Sequence, residues 1–523
     1  MRACGRVLLL LVLGLAACEA TGRGAPGEGI AHSADDLYTT ELIPRFELGL
    51  SPEARDQLAR APKKWVHATF TYAGQVFPDV AVRLKGHRSA EGLEHKPSFK
   101  VRFDKYVPGR RFLGQSELVL NNLVEDPTLV REALGYELHR ALGVAAPRTG
   151  YAQLSVDGVP YGIYLDVEAV DEHLLERAYG DGSGVLYEGE YGCDLYAGDA
   201  AGFELDGGDD AEHAQLAALA ELAESAPEQL LAVDGPIDRE RVLAYLAVST
   251  VIGDFDGYRH SHNYRIYRDP GDGRWSLLPW GLDRSFKKRM ALTDYGGVLA
   301  RRCFGDASCR LDYLRTVEQV LGRFEAMVAS GLPERLITIA DAAARGDRRK
   351  PYNAARTRAA RADLRRFLRE RAGQLRAQLG RCRDGLDDAC DGGIGAPPTC
   401  EAVDAAGASL RLCAAPRTWS EAQSFCRGLG LELAWLDDAA QAQALGGLLA
   451  KRGGKDRWWM GLSDAAEEGV FRWSQGAPPA HDVVRWSKGQ PDNDACGEDC
   501  AAVKAGGKWS DAHCELRQPF ICR

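Results

Sequence analysis

GDFDGYRHSHNYRIYRDPGDGRWSLLPWGLDRSF, from Gly253 to Phe286, sets an acid, an amide and a second acid around what reads as a hairpin. NYRIYR (263–268) alternates, DPGDG (269–273) supplies turn residues, and RWSLLPW (274–280) is apolar and strand-like. Asn263 and Asp283 then lie at the far ends of two strands that fold back on each other. Antiparallel pairing predicts that these ends meet, with Asp256 just upstream. One amide and few carboxylates suit Mg²⁺, which keeps room for water and phosphate oxygens, better than they suit a calcium cage. His260 and His262 share the loop, but i, i+2 spacing without further ligands does not make a zinc site.

Working outward, DRERVLAYLAVSTVIG (238–253) reads as an apolar helix that delivers the chain into this stretch. WVHATFTYAGQVFPDVAVRLKG (65–86) alternates across a turn, and SFKVRF (98–103) alternates likewise, so both predict strands. YAQLSVDGVPYGIYLDVE (151–168) sets Asp157-Gly158 between two alternating runs, a strong hairpin signal. Asp126-Pro127 before TLVREALGYELHRALG predicts a helix capped by Asp126, with Pro127 in its first turn and Gly143 at its end. RTRAARADLRRFLRERAGQLR (356–376) predicts a long helix with Leu364, Phe367 and Leu368 on its buried stripe and a solvated basic face. Strands come early and helices dominate late. The expected class is α+β with two lobes, not an alternating parallel sheet.

The chain has 523 residues and a net charge of −10. That length accommodates about two to four domains. The negative balance argues against generic nucleic-acid binding. MRACGRVLLLLVLGLAAC (1–18) sets Arg2 and Arg6 before an apolar run too short to span a bilayer, so it reads as an export signal. Residues 19–35 are small and polar enough for a flexible tether. The 14 cysteines fit an exported protein. Seven of them follow residue 399, so 400–523 reads as a separate unit behind a Gly/Pro/Asp-rich linker at 379–399. Cys303 with Cys309, and Cys382 with Cys390, are spaced to close small loops.

RLKGHRS (83–89), HKPSFKVRF (95–103), the run 126–168, DFDGYRHSHNYRIY (254–267) and LLPWGLDRSF (277–286) together resemble the CotH family of kinase-like spore-coat proteins. FLRERAGQL (367–375) resembles the family's closing helix. The resemblance implies a two-lobed atypical protein-kinase-like domain over 36–378, with ATP and Mg²⁺ or Mn²⁺ as cofactors. It implies phosphate transfer to Ser or Thr of a surface or secreted protein substrate. Protein kinases use the same order of acid, amide, hairpin and acid. By role, Lys96 is expected to face the nucleotide phosphates, with Arg83 in the same lobe and Glu168 ordering the lysine or lining the nucleotide pocket. Asp256 is expected to orient or deprotonate the acceptor hydroxyl, while Asn263 and Asp283 hold the metal. The family commonly shows Pro-Trp-Asp before its last acid, whereas here Gly281 follows Trp280. That departure keeps a second reading open: a non-catalytic surface adhesin or coat protein that retains the fold. LAAC (15–18) resembles a bacterial lipobox, which implies lipidation at Cys18 and a membrane-anchored lipoprotein at the outer membrane or cell surface.

TWSEAQSFCRGLG (418–430), WWMGLSD (458–464), KGQPDNDACGEDC (488–500) and KWSDAHCELRQPFIC (508–522) resemble, in their order and spacing, the small disulfide-bonded α+β fold of C-type lectin-like domains. The resemblance implies bridges Cys426–Cys522, Cys500–Cys514 and Cys400–Cys413. It implies a sugar-binding Ca²⁺ held by Gln490, Asp492, Glu498 and Asp511, with Pro491 as a cis-proline. It implies a second, structural Ca²⁺ at Asp464, Glu468, Asn493 and Asp499. The Gln-Pro-Asp order resembles galactose-type members, so a galactose-type glycan is the expected partner. Ser510 stands where an Asn ligand is common, and Asp494 where several galactose binders carry a stacking Trp.

Overall fold

The computed structural model describes residues 30–39, 42–86, 90–196, 198–350, 352–383, 400–452, 456–493, 498–514 and 516–523. Cys18, the tether before residue 30, Cys390, Asp494 and Cys496 lie outside the described residues.

Period-two alternation in the first third of the chain produces seven strands: β1 (Arg45–Gly49), β2 (Val66–Tyr72), β3 (Gln75–Lys85), β4 (Ser98–Arg102), β5 (Glu117–Asn121), β6 (Thr149–Val156) and β7 (Val159–Val167). They close into a barrel in the order β1-β2-β3-β4-β5-β7-β6, with β1 and β6 parallel at the seam. Its interior is aromatic. Phe70 meets Phe112 at 4.9 Å and Phe103 at 5.2 Å between ring centroids, edge to face. Such pairs add about 0.5–1.5 kcal/mol each beyond area burial. The barrel also takes up residues assigned to the tether. Ala31 is buried, and its N–H donates to the Tyr72 hydroxyl at 2.5 Å. Residues 31–35, assigned to a flexible tether, are instead packed on the barrel or capped in the short helix Ala34–Leu37.

The second lobe is built on a four-stranded sheet, β8 (Val185–Gly189), β9 (Phe203–Gly207), β10 (Tyr264–Arg268) and β11 (Trp275–Pro279), in the order β11-β10-β8-β9. Helices α1 (Arg131–Ala141), α2 (Arg239–Ile252) and α3 (Ala354–Arg383) belong to this lobe. The first starts later than expected. Leu129 has φ +69°, which breaks the helix, and Asp126 instead holds the preceding turn by accepting from the N–H groups of Thr128 and Arg131, both at 2.8 Å. Helix α2 is capped by Asp238, whose side chain accepts from Arg241 N–H, and ends at Gly253 with φ +66°. A Cβ there would meet the Lys288 carbonyl at 2.0 Å, so this position needs glycine.

Helix α3 buries Leu364, Phe367 and Leu368 as its periodicity predicts, but its basic residues are not all solvated. The buried Arg371 guanidinium donates to the carbonyls of Thr250 (2.6 Å), Val251 (3.1 Å) and Met290 (2.7 Å). It satisfies the open carbonyls at the end of α2 and clamps the closing helix to the element that feeds the loop of Asp256. Leu379 is also buried, so the fold continues into the stretch assigned to the linker.

The C-terminal unit sets β12 (Cys400–Ala405), β13 (Ala408–Arg417), β14 (Arg457–Ser463), β15 (Arg472–Trp473), β16 (Cys500–Lys504), β17 (Trp509–Ala512) and β18 (Gln518–Cys522) beside the helices Trp419–Gly428 and Ala439–Arg452. Disulfides join Cys400–Cys413, Cys426–Cys522 and Cys500–Cys514, and Cys303–Cys309 closes its loop in the helical lobe. Cys193 is also disulfide-bonded. The two units touch: the His513 ring lies 5.1 Å from that of Tyr196, and its Nε2 is 4.0 Å from the Asp199 carboxylate. A small cavity at this contact is lined by Gly192, Arg259, His260 and Ser261 on one side and His513 and Leu516 on the other.

Candidate functional site

The β10–β11 hairpin pairs Tyr264 with Pro279, and Trp280 N–H donates to the Asn263 carbonyl at 3.2 Å. Asn263 and Gly281 therefore close the open end of the hairpin. A Cβ on Gly281 would lie 3.3 Å from Asn263 Cγ. The Asn263 amide donates to the Asp256 carbonyl at 2.8 Å. This leaves its Oδ1 without a hydrogen bond among the described residues. Arg284 Nη1 holds the Asp256 carboxylate at 3.2 and 3.3 Å.

Asp283 follows in the short turn Leu282–Arg284. It is half-buried, and makes no hydrogen bond or salt bridge among the described residues. Burial first, then the charges of Glu132, Asp126, Glu125 and Asp256, push its carboxyl well above the usual range. The site thus brings Asp256, Asn263 and Asp283 together and adds acids not anticipated from sequence. An unneutralised carboxylate and a vacant amide oxygen among further acids fit an oxygen-ligated divalent cation.

A hydrogen-bonded chain links this edge to the barrel. Lys85 Nζ donates to Asn121 Oδ1 (2.6 Å), and Asn121 Nδ2 donates to Glu132 Oε2 (2.9 Å). The Tyr136 hydroxyl donates to Glu132 Oε1 (3.2 Å) and accepts from Gly281 N–H (3.1 Å). Burial pushes the Lys85 ammonium down to about 8 against the opposing pull of Glu132, and Lys85 sits 5.0 Å from the Trp280 ring. Lys85, Asn121, Glu132 and Tyr136 were not singled out from the sequence. The available signals were a lysine ending an alternating strand and an i, i+4 Glu–Tyr pair on one helix face.

Lys85, not Lys96, is the lysine hydrogen-bonded toward the hairpin edge. Lys96 is 3% exposed, and its ammonium is bound to Asp347 at 2.6 Å, so that charge is neutralised within the fold. Glu168 touches neither lysine. It is buried and held by Arg148 Nη2 and Arg177 Nη2, both at 2.6 Å, so it is a structural ion pair. Arg83 stacks over Trp65 at 5.0 Å on the same face of β3 as Lys85.

In the C-terminal unit, one oxygen each of Asp492, Glu498 and Asp511 lie within 4.8 Å of one another. Gln490 joins them by donating to Asp492, and the Gln490–Pro491 bond is cis. Gln490 Oε1, Ser510 Oγ and Asp511 Oδ1 are buried without partners, an excess of oxygen acceptors that suits a bound cation. Asp464 Oδ2 accepts from Gly469 N–H at 2.9 Å, while Oδ1 has no partner. Burial, then Glu468 and Asp499, push this carboxyl up to about 6. Asn493 turns its Oδ1 to the Glu498 N–H at 2.7 Å.

Comparison with known proteins divides the chain at the same place. Residues 82–375 match the family model described as CotH kinase protein, and residues 415–523 match the C-type lectin domain. The inner spore coat protein H of Bacillus subtilis is 27% identical over 253 residues, covering 43% of this chain and 67% of that protein. The galactose-specific lectin nattectin of Thalassophryne nattereri is 32% identical over 106 residues, covering 20% of this chain and 65% of that protein. Of other lectin relatives, collectin-11 of Danio rerio and hepatic lectin of Gallus gallus, the chain spans 38% and 49%. The carbohydrate-recognition domain of the mouse scavenger receptor C-type lectin is 27% identical, covers 24% of this chain and 96% of that one, and has a TM-score of 0.21.

Proposed function

The chain belongs to the CotH kinase protein family and carries a C-terminal C-type lectin domain; from that premise we propose that it is an exported phosphotransferase moving phosphate from ATP to Ser or Thr of a surface or secreted protein. The observation that carries this reading is the meeting of Asp256, Asn263 and Asp283 at one hairpin edge beneath Lys85 and Glu132. Asn263 and Asp283 would hold Mg²⁺ or Mn²⁺, which when bound neutralises phosphate oxygens. Lys85, oriented by Asn121 and Glu132, supplies a positive charge for the nucleotide phosphates. Asp256, once released from Arg284, accepts the proton of the acceptor hydroxyl.

The lectin domain is proposed to bind a galactose-type glycan through Ca²⁺ at Gln490, Asp492, Glu498 and Asp511, and so to hold the enzyme on its target surface. The galactose specificity of nattectin and the clustered oxygens support this. Export and a lipid anchor at Cys18 complete the proposal. No described helix is long and apolar enough to cross a membrane.

A second reading, a non-catalytic surface adhesin or coat protein, draws on two observations: Gly281 in place of an acid, and Asp256 engaged by Arg284. Radiolabel transfer from ATP by the Cys18→Ser protein separates the two. Transfer to itself or to casein that needs a divalent ion, and falls about 100-fold or more in Asp283→Ala, supports the enzyme. A folded parent protein that binds no nucleotide supports the adhesin.

A further inference from the structure

Asp194 ties the loop of Asp256 and Asn263 to the face that meets the lectin domain. It is 1% exposed, and four donors fill its carboxylate. Oδ1 accepts from the Tyr258 hydroxyl at 2.9 Å and from Leu195 N–H at 2.8 Å. Oδ2 accepts from the Ser261 hydroxyl at 2.9 Å and from Val298 N–H at 2.8 Å. Tyr258 and Ser261 both lie between Asp256 and Asn263. Gly192 N–H adds a bond to the Ser261 carbonyl at 3.0 Å, and the Tyr264 hydroxyl donates to the Cys193 carbonyl at 2.8 Å. The loop needs such support. Ser261 and Asn263 stand at φ +47° and +48°, left-handed backbone that a side chain adopts only where its surroundings impose it. A buried, fully bonded carboxylate imposes it, because each donor that leaves exposes uncompensated charge.

The lectin domain reaches Asp194 through one intermediary. Asp194 N–H donates to Asp199 Oδ2 at 2.9 Å. That same oxygen lies 4.0 Å from His513 Nε2, whose ring packs on Tyr196 at 5.1 Å. His513 stands two residues past Asp511, a member of the candidate Ca²⁺ cluster, and its neighbour Cys514 is bridged to Cys500. The charge of Asp499, next to that bridge, acts on Asp199 as well. A cation held by Asp511 therefore fixes the strand end that carries His513, and hydrogen bonds and ring contacts run from there to the loop.

We propose that Asp194 is the positioning residue of the phosphotransfer loop and that the lectin domain, through His513 and Asp199, sets how firmly it holds: Ca²⁺ in the lectin domain favours the loop geometry that binds the metal nucleotide. The proposal rests on both the phosphotransfer and the calcium readings and adds a coupling between them. With Asp194 released, Ser261 and Asn263 relax from left-handed backbone and the Asn263 amide oxygen leaves the metal site. With Asp194 held, the amide oxygen stays.

The test uses the full chain with Cys18→Ser. A non-hydrolysable ATP analogue with Mg²⁺ is titrated calorimetrically, with and without Ca²⁺. Ca²⁺ is expected to tighten nucleotide binding about fivefold, and the nucleotide to tighten Ca²⁺ binding by the same factor. His513→Ala should bind each ligand alone as the parent does and lose that factor. Asp194→Asn should bind the nucleotide about tenfold more weakly, with or without Ca²⁺. Amide hydrogen exchange at 256–263 reads the loop itself: Ca²⁺ should slow it in the parent and not in His513→Ala. Equal nucleotide affinity with and without Ca²⁺ in a protein that binds both would overturn the proposal. So would a protein that binds no Ca²⁺, or a Ca²⁺ effect that survives His513→Ala or Asp511→Ala. If no nucleotide binds yet Ca²⁺ slows exchange at 256–263 in the parent and not in His513→Ala, the coupling stands and the phosphotransfer reading falls.

Discussion

Lys85 ends β3 and Lys96 lies just before β4, and only tertiary structure shows what each side chain meets. Lys96 is expected to face phosphate only from the family resemblance of HKPSFKVRF (95–103). Its partner, Asp347, is 251 residues away, so no local pattern could reveal that its charge is neutralised. Glu168 is a similar case, since two arginines fill its oxygens. Removing one member of a buried pair leaves the other uncompensated, so Lys96→Ala should cost about 3–5 kcal/mol in chemical denaturation. Lys85→Ala should instead lower transfer while leaving the protein folded. Gly281→Ala forces a side chain against Asn263 at φ +61°. It should destabilise by about 1–2 kcal/mol and reduce transfer, read from thermal melts and radiolabel assays. Asp166 is buried with neither oxygen hydrogen-bonded, and burial, then Glu168, push it up to about 8. Its folded pKa exceeds the unfolded value of about 3.9, so the stability it contributes is complete below about pH 4 and lost as pH rises through about 8. Between pH 5 and pH 9 the melting temperature of the parent should therefore fall further than that of Asp166→Asn. The difference is on the order of a few kcal/mol.

Elements were far more legible than individual roles. Period-two alternation marked β2, β3, β4, β6 and β7, and the Asp157-Gly158 turn fixed a hairpin, because pleat and turn chemistry are local properties. The β10–β11 hairpin was legible for the same reason, and it brings Asn263 to Gly281. Helix starts were less so. Asp126-Pro127 resembled a cap, but the left-handed Leu129 delays α1 until Arg131. The basic face of α3 concealed Arg371, because the carbonyls it satisfies belong to the end of α2 and to Met290. Arg371→Leu keeps bulk but removes the guanidinium donor from the carbonyls of Thr250, Val251 and Met290. It should cost about 2–4 kcal/mol and loosen the Asp256 loop first, which amide hydrogen exchange at residues 250–256 would show as lost protection.

The whole molecule joins a two-lobed kinase-like unit to a lectin domain that meets it through His513 on Tyr196 and Asp199, beside a small cavity that Arg259, His260 and Ser261 also line. The three lectin disulfides were inferred by family resemblance; the contact between domains had no sequence signal, because it depends on two surfaces meeting. The bridge Cys426–Cys522 closes the longest loop and, in the chain-entropy model, contributes about 4–5 kcal/mol, against about 3 for each short one. Retention on galactose resin should be released by EDTA and lost in Asp511→Ala; retention unaffected by chelation would contradict the calcium site.

The central claim is that one cluster of oxygens at the hairpin edge, served by Lys85, holds the metal and nucleotide. Titration of Mn²⁺ by electron paramagnetic resonance, with and without ATP, tests it most directly. The account predicts an ATP-dependent Mn²⁺ site in the parent and in folded Lys96→Arg, lost in Asp283→Ala and Asn263→Ala. An undiminished site in Asp283→Ala, or no ATP-dependent Mn²⁺ binding in the folded parent, would contradict it.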